Sequence, residues 1–250
     1  MKETNKEKLV NALIQKGKEL LELPYKRIVF SNDPKSDDLL NDFQQYPHAF
    51  VLACIMDRQI KAERAWIIPY EISREIGTFK FNHLLELKLE QINKIFTKKK
   101  LHRFNNEMAK YFYLAIQRIH ENYDNDALNI WCDNSRSATV VRRFLEFHGV
   151  GIKIATMATN MLARDFKIPM KDYIFIDISP DIHVKRVFTR LGLIFENSSN
   201  DELIYCAREL NPEYPGIFDL SCWEIGRNRC HPRNPECDNC FLNQYCLKKP

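Results

Sequence analysis

Four cysteines crowd the end of this chain as Cys230-x6-Cys237-x2-Cys240-x5-Cys246, and no other feature narrows the possible folds as far. Four thiolates at such short spacing can wrap one Zn²⁺ or an iron–sulfur cluster, and the spacing alone favours zinc. Either way the tail must close into a loop around a bound group. Cys54, Cys132, Cys206 and Cys222 are scattered and read as apolar fillers of a core. No secretory apolar stretch follows Met1-Lys2-Glu3-Thr4-Asn5-Lys6. The expected compartment is therefore the reducing cytoplasm, where clustered cysteines hold metal rather than form disulfides. No apolar run approaches the ~20 residues that span a bilayer, so no membrane segment is expected.

Of the 250 residues, 45% are apolar and 28% charged, which permits a sizeable core and excludes global disorder. Only 7 are glycine. Neither GxGxxG nor GxxxxGK[ST] occurs, which excludes the glycine loops that cradle nucleotide phosphates. Lys and Arg number 37 against 33 Asp and Glu, for a net charge of +4 and a pI of about 8.5. That balance permits a polyanionic partner without demanding one. Lys98-Lys99-Lys100 with His102 and Arg103, and Arg142-Arg143, are local basic clusters. Each reads as readily as a solvated helix face.

Apolar spacing near the helical period runs through almost the whole chain. Helices are expected over 6–23, 37–45, 48–59, 62–76 with an interruption at Pro69, 82–97, 105–123, 136–147, 151–165, 181–191, 200–210 and 214–226. Tyr173-Ile174-Phe175-Ile176 is the one short run that could be a strand. The expected class is all-α, in two lobes. One is a helical barrel over 35–146, and the other joins 1–34 to 147–250, with the N-terminal helix docking onto the C-terminal part.

The most informative internal stretch is Phe147-His148-Gly149-Val150-Gly151-Ile152-Lys153-Ile154-Ala155. One helix ends, Gly149-Val150-Gly151 makes a tight turn, and a second helix begins. Free N–H groups at such a turn, with the positive end of the next helix, suit a phosphate. As physics alone the pattern is equally an ordinary glycine helix stop.

Together with Ile176-Asp177-Ile178-Ser179-Pro180-Asp181-Ile182-His183-Val184-Lys185-Arg186-Val187 and the four-cysteine tail, this stretch resembles the endonuclease III superfamily of base-excision DNA glycosylases, over roughly residues 40–246. The family's hairpin pattern is LPGVGxKTA, from which this chain departs at His148 and Ile154. The 6-2-5 cysteine spacing matches the family's iron–sulfur loop, and this turns the expectation from zinc to a [4Fe–4S] cluster held by Cys230, Cys237, Cys240 and Cys246.

The resemblance implies a two-lobed helix-hairpin-helix glycosylase fold, with Lys153 as the catalytic nucleophile. Asp181, in the D-x-H-V-x-R-V pattern, becomes the catalytic carboxylate, with an insertion lengthening the gap from Lys153; Asp177, which follows an apolar run as the family's aspartate also does, is its rival. His183 is more simply structural. Gln59, in Met56-Asp57-Arg58-Gln59, resembles the glutamine that enters DNA when a base flips out, and Gly149, Val150 and Gly151 would grip a backbone phosphate. His231 and Arg233 would face phosphates, although Glu236 stands where a basic residue is expected.

The implied activity is bifunctional. A lysine amine attacks C1′ of the sugar, a Schiff base forms, and β-elimination nicks the strand. A carboxylate stabilises positive charge developing on the sugar, and the target nucleotide must leave the duplex. The implied partner is double-stranded DNA carrying a damaged or modified base, bound by a monomer. The rival readings are a non-catalytic damage-sensing module and a glycosylase specialised for purine lesions or a modified base.

Overall fold

The structure is a computed structural model and describes residues 4–247. Thirteen α-helices form among them, and no strand. They are α1 (Asn5–Glu22), α2 (Pro34–Asn41), α3 (Pro47–Met56), α4 (Ala62–Trp66), α5 (Ile68–Ile76), α6 (Phe81–Leu85), α7 (Leu89–Lys99), α8 (Asn105–Asn122), α9 (Ser137–Leu145), α10 (Ile152–Arg164), α11 (Ile182–Arg190), α12 (Asn200–Leu210) and α13 (Asp219–Asn228). Tyr173–Ile176 is a turn, closed by a bond from the Ile176 N–H to the Tyr173 carbonyl at 3.0 Å, and not the strand its alternation allowed. Pro69 restarts rather than kinks its helix, sitting in the first turn of α5, where a missing N–H costs nothing. The expected 82–97 helix divides into α6 and α7, and the expected 214–226 helix opens as a 3₁₀ turn over Pro215–Phe218.

Helix starts are written in local chemistry. Thr4 and Glu7 form a reciprocal capping box on α1, and Ser199 and Glu202 form another on α12. Asp33 caps α2 ahead of Pro34, a cap and first-turn proline in their favoured order.

The chain divides into two compact units. One takes residues up to Tyr25, Arg136–Val141, and the chain from Thr159 onward; the other takes Lys26–Ser135 and Arg142–Ala158. The second unit is built around α3, all ten residues of which are buried. A helix wrapped on every side explains why its sequence is apolar without a polar face. Phe50, Phe96, Phe112, Trp131 and Phe144 fill the same core.

This division differs from the expected one in where the hairpin counts. Residues 142–158 pack with the central unit: Phe147 stacks on Tyr123 at 6.1 Å, and the Tyr123 hydroxyl donates to Glu146 at 2.8 Å. Residues 136–141 go the other way, because the Ser137 N–H and hydroxyl both reach Asp172.

In the first unit α1 does dock onto the C-terminal part. Gly17 lies so close to the 3₁₀ turn that an added Cβ would stand 2.4 Å from the Ile217 carbonyl oxygen. Gly17→Ala adds up to about 1 kcal/mol of helix propensity, but the neighbour is backbone and cannot swing aside. We expect a net loss of about 1–3 kcal/mol, read as a lower urea midpoint. A raised midpoint would mean that the docking of α1 adjusts freely.

Candidate catalytic and cluster sites

Within the central unit, α9 stops at Leu145 and α10 starts at Ile152. The turn closes through the Val150 N–H on the Phe147 carbonyl at 3.1 Å. Its glycines do different things. Gly149 has φ +85°, and a Cβ there would stand 2.6 Å from the Tyr111 ring. Only a residue without a side chain fits both constraints. Gly151 is exposed with open space beside it, so its backbone is uncovered. Val150 is half-buried.

Lys153 is the second residue of α10, in its first turn. Its Nζ lies 3.5 Å from Oδ2 of Asp57, and the two side chains are 38% and 11% exposed. Asp57 directly follows α3. Its neighbour Arg58 sits over the Tyr111 ring, 5.6 Å from the centroid, and places Nη1 3.8 Å from Glu107. The Tyr111 hydroxyl donates to the same Glu107 at 2.7 Å. Gln59 is exposed and holds φ +54°, a left-handed backbone that a side chain adopts only under constraint. The Met56-Asp57-Arg58-Gln59 segment and the glycine hairpin therefore meet at Lys153 and Tyr111. Sequence reasoning singled out Gln59 and missed Asp57 and Arg58. Their signal was a charged pair set immediately after an apolar run.

Within the basic clusters, Lys98, Lys99, Arg142 and Arg143 are engaged inside the protein. Lys98 pairs with Glu75 at 2.5 Å, and Lys99 with Glu71 at 3.0 Å. Arg142 pairs with Glu146, and Arg143 donates to the Asn129 and Ile130 carbonyls at 3.0 Å.

In the first unit the two candidate aspartates have different company. Asp177 is clamped by Arg208 through two parallel bonds of 2.7 and 2.8 Å, with 5% of its side chain exposed. That bidentate geometry is strong and specific. Asp181 is half-buried and caps α11, its Oδ1 accepting from the His183 N–H at 2.7 Å. The second carboxylate oxygen has no such bond among the described residues. His183 places Nδ1 3.0 Å from Arg186 Nη2, in keeping with a structural role.

The turn leading to Asp181 is anchored by buried Asp219, which accepts from the Ser179 N–H and hydroxyl, both at 3.2 Å. Burial pushes the Asp219 carboxyl up from an ordinary 3.8 to about 6, with the Arg164 charge pulling the other way. A raised carboxyl holds its proton more tightly folded than unfolded. Its contribution to stability is full below about pH 4 and is lost as pH rises to about 6, by up to ~3 kcal/mol. Asp219→Asn should remove that slope from urea melts taken across the window. Equal slopes in both proteins would place its source elsewhere.

The four tail cysteines line one cavity, backed by Val187, Leu191, Ile225 and Leu242, with about 390 Å³ of atom-free space that is partly open to solvent. The four thiols thus share one cavity that can take a bound group. Between Cys230 and Leu247 the only fully buried side chain is Leu242, so the segment has no core of its own and needs a bound group. Arg190 donates to Cys230 Sγ at 3.2 Å and to the His231 and Pro232 carbonyls at 2.6 and 2.9 Å, and Arg186 donates to the Cys230 carbonyl at 2.7 Å. These cations suit a site of thiolate charge. Glu236 is paired with Arg229 at 2.7 Å and lies 3.8 Å from His231, which spends basic charge on this loop internally.

Residues 230–246 match the family model described as the iron–sulfur binding domain of endonuclease III, and the cofactor of this segment is a [4Fe–4S] cluster. Endonuclease III of Thermotoga maritima is 33% identical over 107 residues, which are 42% of this chain and 45% of that protein. The match thus spans less than half the length of that relative. Endonuclease III of Sulfolobus acidocaldarius is 25% identical over 203 residues, covering 79% of this chain and 80% of the relative. A solved trapped endonuclease III–DNA covalent intermediate, an estranged-adenine complex, superposes with a TM-score of 0.63 at 16% identity, over 99% of this chain and 97% of that one. At that identity the superposition speaks for the all-α fold alone. The cysteine segment and both relatives point the same way: this chain is similar to endonuclease III in its iron–sulfur segment and, at lower identity, over most of its length.

Proposed function

We propose that this protein is a base-excision DNA glycosylase with AP-lyase activity, acting on a damaged or modified base flipped out of double-stranded DNA. The observation that carries the reading is Lys153, whose amine is accessible in the first turn after a glycine hairpin. The fold and the iron–sulfur segment support it, as does the kinship with proteins named endonuclease III.

The turn of Gly149, Val150 and Gly151, with its uncovered backbone at Gly151, binds phosphate and holds the strand. Gln59, exposed on a left-handed backbone, fills the gap left by the flipped nucleotide. The Lys153 amine attacks C1′, a C–N bond forms, and the bond to the base breaks with its electron pair leaving on the base. Asp181, whose carboxylate keeps one oxygen clear of its cap, stabilises positive charge on the sugar. The C1′–O4′ bond then breaks as the nitrogen lone pair forms the C=N bond, O4′ taking up the proton that the amine loses; this Schiff base acidifies C2′, and loss of that proton expels the 3′ phosphate. Asp177 takes no part, because Arg208 occupies both of its oxygens.

Cys230, Cys237, Cys240 and Cys246 are the ligands of the cluster, which supplies structure and charge to the DNA-facing loop. The test is a panel of duplexes, each with one oxidised pyrimidine, oxidised purine, mismatch or methylated base, scored separately for base release and strand nicking. Release with nicking from at least one duplex is the expected result. Lesion-selective binding without release from any of them would leave a damage-sensing module instead.

A further inference from the structure

The central unit pairs the Lys153 amine with a carboxylate that the mechanism above does not use. Asp57 is 11% exposed and 3.5 Å from Nζ. No other cation pairs with it among the described residues. Surface pairs such as Arg142–Glu146 are worth little, but burying most of a carboxylate is costly unless something is gained from it.

The charged and titratable groups around this pair are otherwise engaged. Arg58 turns to Tyr111 and Glu107, and Glu107 takes the Tyr111 hydroxyl. His102, from the start of the segment before α8, is buried against the backbone of Met56 and Arg58, and burial pushes its imidazole toward the neutral form. The Cys54 thiol, one turn back in α3, is pushed up by burial and by the Asp57 charge, so it stays uncharged. Asp57 is left as the anion within reach of the amine.

We propose that Asp57 is a second catalytic carboxylate, the proton acceptor that converts the Lys153 ammonium to a nucleophile. The inference rests on Lys153 being the nucleophile, as proposed above. In the step, one N–H bond of the ammonium breaks and its proton moves to Oδ2. The lone pair freed on Nζ then forms the bond to C1′ as the base departs with the glycosidic pair. Asp57 returns its proton to water after the adduct forms. A distance of 3.5 Å in the free protein is long for this transfer, and catalytic hydrogen bonds commonly tighten once substrate is bound.

The experiment measures single-turnover borohydride trapping with wild-type protein, Asp57→Asn, Asp57→Glu and Lys153→Ala, from about pH 6 to 10, bracketing the ordinary lysine range. Binding to a duplex with a non-cleavable sugar is measured beside it. Asp57→Asn should trap about 10²-fold more slowly at pH 7 with DNA affinity unchanged. The deficit should shrink as rising pH deprotonates Lys153 without help, and Asp57→Glu should recover most of the neutral rate.

A wild-type rate in Asp57→Asn overturns the inference and leaves the glycosylase reading standing. So does a deficit equal at every pH, which marks a structural role. Should Asp57→Asn not fold, Asp57→Glu decides alone, with a pH-independent loss overturning the inference. Wild-type protein that traps no better than Lys153→Ala overturns both readings at once.

Discussion

Lys153→Ala is expected to abolish the borohydride-trapped protein–DNA adduct and to slow base release and nicking by about 10⁴-fold, the scale on which losing a central catalytic group is felt. The side chain is 38% exposed and its aliphatic part fills no core, so the fold and DNA affinity should survive. Asp181→Asn is the informative companion. Asparagine caps a helix as well as aspartate does, so the start of α11 is preserved and only the charge is lost. Base release should fall about 10²- to 10³-fold, the usual worth of one electrostatic stabiliser. Asp177→Asn should do something different. It strips the partner from Arg208, and a broken part-buried pair costs up to about 3–5 kcal/mol, so melting temperature should drop more than activity per folded molecule. An Ala variant that still cross-links would remove Lys153 from the nucleophile role. A near-active Asp181→Asn beside a stable but dead Asp177→Asn would exchange the two aspartates.

Cys240→Ser should cost the protein its iron, its acid-labile sulfide and its broad visible absorption together. The physical ground is the tail itself. With Leu242 its only fully buried side chain between Cys230 and Leu247, the segment draws almost no hydrophobic stabilisation, and what orders it must come from the bound group. Structural metal sites release on the order of 10 kcal/mol on binding, enough to account for an ordered loop without a core. The variant should be cut by protease after Arg229 while α1, α12 and the Asp219 network stay protected. Metal analysis of wild-type protein showing zinc in place of iron would overturn the cluster.

Much of this was legible in the residues. Caps, prolines and apolar spacing set nearly every helix, and the hairpin glycines and cysteine spacing stand out because each has few chemical explanations. Three things were hidden for stated reasons. The 82–97 and 214–226 runs carry one continuous apolar pattern across what folds as two elements each, since periodicity survives a short turn. Membership of 136–158 depends on Tyr111, Tyr123 and Asp172, contacts far away in sequence. Asp57 and Arg58 looked like the polar end of a buried helix, and only their distances to Lys153 and Tyr111 give them a use.

The backbone at Gln59, φ +54° with an exposed side chain, bears on any attempt to engineer a hardier version of this protein. A left-handed non-glycine residue costs about 1–2 kcal/mol, so a thermostability screen would reward glycine at that position. The gain would come at the cost of the polar side chain that the proposed mechanism places in the gap left by the flipped nucleotide.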